Sequence, residues 1–304
     1  MTADIQESVQ TGQTDKRKPP PRGKMTYVAI AVVTIGLLGL AQDVVTNPNF
    51  GWRVVAQYVF SGYILKGLTL TIALTVLVML LGTLGGLVIA MMRISNSVFL
   101  KIVANCYINL FRGIPLLIQV LFWFNIAALF PNIRIGIPFG PTFSELDTNM
   151  LVTPFIAAVI ALTLNEIAYM AEIIRGGLLG VDSGQYEAAE ALGMPPRMTL
   201  NVILPQAIRI IIPPTANQLI TTFKNTALVS VIGLADLLHS AQIVYAINYQ
   251  TIPLLITASL WYLLLSSLLN WLQSVLEKRY SKGFQPRTNR RKPSTDKTPE
   301  ETLV

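Results

Sequence analysis

GLTLTIALTVLVMLLGTLGGLVIAMM, residues 67–92, runs for 26 residues without Asp, Glu, Lys or Arg. A helix needs about 20 mainly apolar residues to cross a hydrocarbon core of roughly 30 Å, so this stretch reads as a membrane span. The same reading extends along the chain. Charge-free runs cover 25–42 (18 residues), 113–133 (21), 148–165 (18) and 237–276 (40). Of the charged residues, 8 stand in residues 1–24 and 12 in residues 277–304, which leaves 19 for the 252 residues between. The apolar runs are continuous rather than alternating, which argues against a β-barrel. Cys106 is the single cysteine, so a disulfide scaffold is excluded. The expected class is an all-α integral membrane protein with several spans.

The net charge of +7 divides into +2 for residues 1–24, +1 for the middle and +4 for residues 277–304. Basic tails beside spans follow the positive-inside rule. Aromatic residues do not interleave with these tails, so the charge does not point to nucleic acid. Residues 1–24, with Lys16-Arg17-Lys18 and Pro19-Pro20-Pro21, read as a disordered cytoplasmic tail, and residues 279–304 as a second one. The run 25–42 follows basic residues, as a signal peptide does. Gly39-Leu40-Ala41-Gln42 is a poor cleavage site, and the run is read as an uncleaved first span.

Further spans are expected at about 63–92, 98–130, 151–178, 202–223 and 252–277, with both termini in the cytoplasm. Trp52 and Tyr58 suit the headgroup level before the second span. The third span should break near Arg112-Gly113-Ile114-Pro115, because Pro115 lacks an N–H and disfavours helix at Ile114. Residues 131–150 and 224–250 read as external stretches. Gly82, Gly86 and Ala90 form a row of small residues for close helix approach, within the chain or against a second copy.

No GxxxxGK[ST] loop, no HExxH and no Cys/His cluster occurs, and His239 is the single histidine. Hydrolysis of ATP by a P-loop therefore does not belong to this chain. The informative segment is 182–205. Asp182 or Ser183 can cap a helix, with Gln185 placed for a capping box. Glu187–Leu192 favours helix, Gly193 fits the left-handed C-terminal position, and Pro195-Pro196 stop continuation. This bounded helix between two spans suits docking into a partner's groove; an ordinary loop helix has the same composition.

The segment resembles the EAA loop of bacterial ABC-importer permeases. Glu187-Ala188-Ala189, three residues and then Gly193 match its pattern; Val202-Ile203-Leu204-Pro205 follows with one residue fewer than usual. More of the chain is similar to the polar amino-acid branch, the histidine and glutamine permeases. The matching strings are GLTLT at 67–71, FRGIPLLIQ at 111–119, AYMAEIIRGG at 168–177, LPQA at 204–207, PPTANQ at 213–218 and KNTAL at 224–228. The resemblance covers about residues 60–278. It implies the type I ABC-importer permease fold, with five core spans plus the extra one at 25–42. It implies that Gly184, Tyr186, Glu187, Ala188, Ala189, Ala191, Leu192 and Gly193 couple this chain to P-loop ATPase subunits. ATP and Mg would then sit on that partner, with no cofactor on this chain. A second permease subunit, identical or paralogous, an external substrate-binding protein and surrounding lipid complete the expected partners.

Polar residues inside spans are functional candidates by default. Arg112 and Gln119, seven apart, are expected on one face. Glu166, Tyr169, Glu172 and Arg175 recur at intervals of three, and Glu172 can pair with Arg175. Arg112, Glu172 and Arg175 are expected to form structural ion pairs near the cytoplasmic end. Pro205, Pro213 and Pro214 are expected to interrupt the fifth span, and broken helices at membrane depth line cavities. Thr215, Gln218 and Thr222 share a face there, flanked by Asn217. With Gln119, Glu166 and Tyr169 these residues form the expected substrate path. Thr215 and Gln218 stand where acidic residues meet cationic substrates in relatives, so the resemblance implies neutral or acidic amino acids. Lys224 either attracts a carboxylate at the outer end or snorkels. The competing class is an ion-coupled secondary transporter using Glu166 as its titrating carboxylate.

Overall fold

The computed structural model describes residues 24–137 and 142–280. The expected tails, apart from Lys24, Arg279 and Tyr280, lie outside the described residues, as do Pro138, Gly140 and Pro141. The chain divides into two units, the second beginning at Arg53. In the first, α1 (Lys24–Thr46) covers the run 25–42 and continues beyond it. A 3-10 turn at Pro48–Phe50 follows, and the Trp52 indole N–H donates to the Val44 carbonyl at 2.8 Å.

The second unit starts one residue into α2 (Trp52–Tyr58). Long helices follow because long apolar runs leave no other way to satisfy the backbone in lipid. These are α3 (Gly62–Ile94), then α4 (Val98–Gly113) and α5 (Leu116–Phe124). A strand pair β1 (Asn132–Gly136) and β2 (Thr142–Asp147) leads to α6 (Thr148–Leu151) and α7 (Pro154–Leu179). Beyond it lie α8 (Ser183–Ala191), α9 (Pro196–Asn225), a 3-10 segment (Thr226–Ile232), α10 (Leu237–Asn248) and α11 (Thr251–Tyr280). Four helices are individually long and apolar enough to span, or six segments if each of two bent pairs counts as one.

The central contact is α3 on α7. The small-residue row is an internal packing face: a Cβ at Gly86 would lie 2.6 Å from the Met170 Cβ, and one at Gly82 would overlap the Glu166 side chain. Ala90 joins Ile108, Met170, Ala171 and Ile174 in one buried cluster. Toward the other end Leu74 and Val78 pack with Ala157, Ala158 and Ala161. Small side chains on both helices let the backbones approach closely, which is how helices bind each other in lipid.

One expectation is overturned, and two loosely read stretches gain structure. Residues 131–150 hold an antiparallel hairpin, with Arg134 opposite Glu145 and their charges 2.9 Å apart. The fifth span is not interrupted: α9 runs unbroken through Pro205, Pro213 and Pro214. Packing on α7 and α11 outweighs the missing donors. The stretch 224–250, too interrupted to read as a span, packs through α10 on α3 and α11. The Leu237 N–H donates to Thr71 Oγ1 at 3.0 Å and the Tyr262 hydroxyl to Asp236 Oδ2 at 3.3 Å. Those partners satisfy buried polar groups of the stretch.

Candidate functional site

The helix α8 is held at both ends. Asp182 caps it by accepting from the Gly184 N–H at 2.7 Å. The capping box does not form; the Gln185 amide oxygen instead accepts from Gln206 Nε2 on α9 at 3.3 Å. At the other end Gly193 has φ +62, the Met194 N–H donates to the Ala189 carbonyl and the Gly193 N–H to that of Glu190. This is the paired bonding of a Schellman stop. Tyr186 reaches back and its hydroxyl donates to the Leu178 carbonyl at 2.8 Å. Ala189 is the one buried residue of α8, so Gly184, Glu187, Ala188, Ala191 and, just beyond, Leu192 and Gly193 are left exposed. Leu192 is 77 % exposed. The helix is hydrogen-bonded to α7 and α9 and presents an open surface.

A second group lies within the membrane. Glu166 on α7 is 3 % exposed. Its Oε2 accepts from Gln218 Nε2 at 3.0 Å and from Thr222 Oγ1 at 2.6 Å, both on α9. Gly82 leaves the room for its side chain. The expected Thr215, Gln218 and Thr222 face therefore exists, and two of its members clasp Glu166. Thr215 Oγ1 is buried and makes no hydrogen bond among the described residues. Asn217 and Lys224 are exposed, and the Asn217 carbonyl accepts from Thr221.

The break at Gly113–Pro115 is a bend of 98°. Pro115 has no N–H for the Phe111 carbonyl. Asn165 Nδ2 donates to it at 2.8 Å and Gln119 Nε2 at 2.9 Å, and Gln119 also reaches the Ile114 carbonyl. Gln119 is thus engaged in holding the bend. Because the helix turns there, Gln119 and Arg112 do not share a face.

The expected ion pairs form in part. Arg175 Nη2 meets Glu172 Oε2 at 2.9 Å, and the other Glu172 oxygen pairs with Arg93. Arg112 does not join them; its guanidinium lies over the Tyr169 ring, 5.0 Å from the centroid. Arg93 at the end of α3 takes the place assigned to Arg112.

A family of binding-protein-dependent transport system inner membrane components matches residues 82–282. The chain belongs to this family. It is 40 % identical over 268 residues to the arginine transport system permease protein ArgU of Corynebacterium glutamicum, covering 87 % of this chain and 83 % of that protein. It is 38 % identical over 230 residues to the L-cystine transport system permease protein TcyB of Bacillus subtilis, covering 75 % and 90 %. Among solved structures, an amino acid ABC transporter with histidines aligns at 39 % identity and TM-score 0.61, over 71 % of this chain and 94 % of that one. A methionine ABC transporter in inward-facing conformations, at 20 % identity and TM-score 0.57, shares the fold over 72 % of this chain and 96 % of that one.

This permease is therefore a multi-pass, non-catalytic membrane subunit of an importer. Its energy comes from a separate ATPase subunit, and a substrate-binding protein belongs to the system. The ion-coupled transporter is not favoured. Three residues of the permease's buried network escaped the sequence reading. Arg93, the second-to-last residue of α3, pairs with Glu172 on α7. Asn165 and Tyr107, whose hydroxyl donates to the Leu164 carbonyl at 2.8 Å, cross between helices far apart in the chain. Pro115 signals that the Phe111 carbonyl needs a donor, but not which one.

Proposed function

We propose that this permease forms, with a second identical or paralogous permease, the path by which amino acids cross the bacterial inner membrane, with both termini in the cytoplasm. An external binding protein delivers the substrate. P-loop ATPase subunits, holding ATP and Mg on their own chains, grip α8 and close. Because α8 is bonded to α7 through Tyr186 and to α9 through Gln185, that movement reaches both helices that hold Glu166. The exposed α8, fixed at each end, is the observation that carries this reading. Rigid rocking of the helices then alternates access.

The amino-acid substrate is supported by relatives named for arginine and cystine. We propose neutral or acidic side chains in preference to basic ones. Asn217, the exposed polar residue of the stretch, is uncharged, and Glu166 is buried and already holds Gln218 and Thr222. The test is gentle detergent purification of the tagged chain, mass spectrometry of what accompanies it, and reconstituted uptake. A P-loop ATPase in equal stoichiometry with permease chains, and ATP-dependent import of glutamine or glutamate, are expected. A chain that purifies alone and transports only on an ion gradient overturns the coupling; arginine as the favoured cargo overturns the selectivity. Gln218→Glu is expected to add uptake of basic amino acids, and an unchanged profile would remove Gln218 from the path.

A further inference from the structure

Three arginines approach the C-terminal half of α7, and they are not equivalent. Arg93 and Arg175 both pair with Glu172. Among the described residues, Arg112 has no carboxylate within ion-pair distance and donates no hydrogen bond. Its guanidinium is seated on the Tyr169 ring instead. Its N–H groups have no hydrogen-bond partner among the described residues. Tyr169 stands 15 residues after the start of α7 and 10 before its end, about 22 Å and 15 Å along the axis at 1.5 Å per residue. Arg112, itself exposed at the surface of the chain, therefore lies beside the interior of an apolar helix, and an unpaired charge within a span marks a polar path or ligand.

The local acceptors are already taken. The Phe111 carbonyl holds Asn165 and Gln119, and the Ile114 carbonyl holds Gln119. The surface beside Arg112 is open: Gly113, Ile114 and Pro115 are exposed, and a Cβ at Gly113 would meet nothing within 4 Å. A planar fork of donors without partners in an open setting fits a bidentate oxyanion, which Arg binds far better than Lys does.

We propose that Arg112, seated on Tyr169, binds the α-carboxylate of the amino acid in transit. This rests on the amino-acid reading above and deepens it. The carboxylate is common to every substrate of that class, so the contact is independent of the side chain and leaves selectivity to other residues.

The test uses the complete permease–ATPase complex in phosphatidylcholine nanodiscs without binding protein, so that binding reports the membrane site alone. Two pairs of probes differ only by the α-carboxylate: glutamine against 4-aminobutanamide, and arginine against agmatine. For at least one pair the unaltered complex is expected to prefer the amino acid by about tenfold or more. Arg112→Gln is expected to weaken the amino acid by about tenfold and leave the decarboxylated amine unchanged. Arg112→Lys should keep part of the discrimination. Should Arg112→Gln fail to assemble with its ATPase, Tyr169→Leu decides instead; it removes the platform and keeps the charge, and should lose discrimination that Tyr169→Phe retains. Undiminished discrimination in Arg112→Gln or Tyr169→Leu, or no amino-acid binding in the unaltered complex, overturns the proposal. An effect of Arg112→Gln that appears only with phosphatidylglycerol present assigns the cation to lipid phosphate and likewise overturns it. If the complex with its binding protein imports no amino acid at all, the amino-acid reading falls as well; import with unchanged discrimination removes Arg112 alone.

Discussion

Exchanging the bulk of Gly82 and Glu166 tests the central packing of the permease. A Cβ at Gly82 would overlap the Glu166 Cγ and lie 2.8 Å from its Cβ, but 3.5 Å from its backbone carbon. Gly82→Ala alone must therefore push the Glu166 side chain off Gln218 and Thr222 or force α3 and α7 apart. Separation meets resistance, since Gly86 sits as tightly against Met170. Overpacking of this kind costs about 1–3 kcal/mol. Glu166→Gly removes both clashing atoms and leaves the ordinary 3.5 Å contact. It costs its own amount through the lost clasp and the added backbone freedom, and that amount cancels in a double-mutant cycle. The pair Gly82→Ala with Glu166→Gly is thus expected to show a favourable coupling of about 1–3 kcal/mol. The measurement is equilibrium unfolding in mixed micelles, followed by tryptophan fluorescence, for the unaltered chain, both single variants and the double. Additivity within about 0.5 kcal/mol would refute the claim that Gly82 exists to admit Glu166.

Three further outcomes are expected. Glu187→Lys reverses the charge of an exposed residue of α8 and should leave the protein in the membrane while abolishing coupled ATPase activity and transport; normal values for both would remove the docking role. Gly193→Ala places a side chain at φ +62 and should cost about 1–2 kcal/mol of local stability, read as weaker ATPase capture in co-purification, with Gly193→Asn milder; equal capture by all three would show that the helix stop does not matter. Asn165→Leu leaves the Phe111 carbonyl with Gln119 alone and should cost about 1 kcal/mol, seen as a lower unfolding midpoint; an unchanged midpoint would show that the bend needs a single donor.

Much was determined by the sequence alone. Charge-free runs announced long apolar helices, four of which are long enough to span, because lipid offers the backbone no other partner. The bounded helix at 183–191 and the bend before Pro115 were legible because caps, glycine and proline act within a few residues of themselves. Gly82, Gly86 and Ala90 declared a packing face by their spacing, but whether it met the same chain or another was left open. Only the tertiary structure decided that it meets α7. It also decided that three prolines do not break α9, that Gln119 turns to the bend, and that Arg93 rather than Arg112 pairs with Glu172. Each of these depends on which helix lies opposite. Asn165 and Glu166 take their partners from opposing helices, through contacts between residues 50 or more apart in the chain.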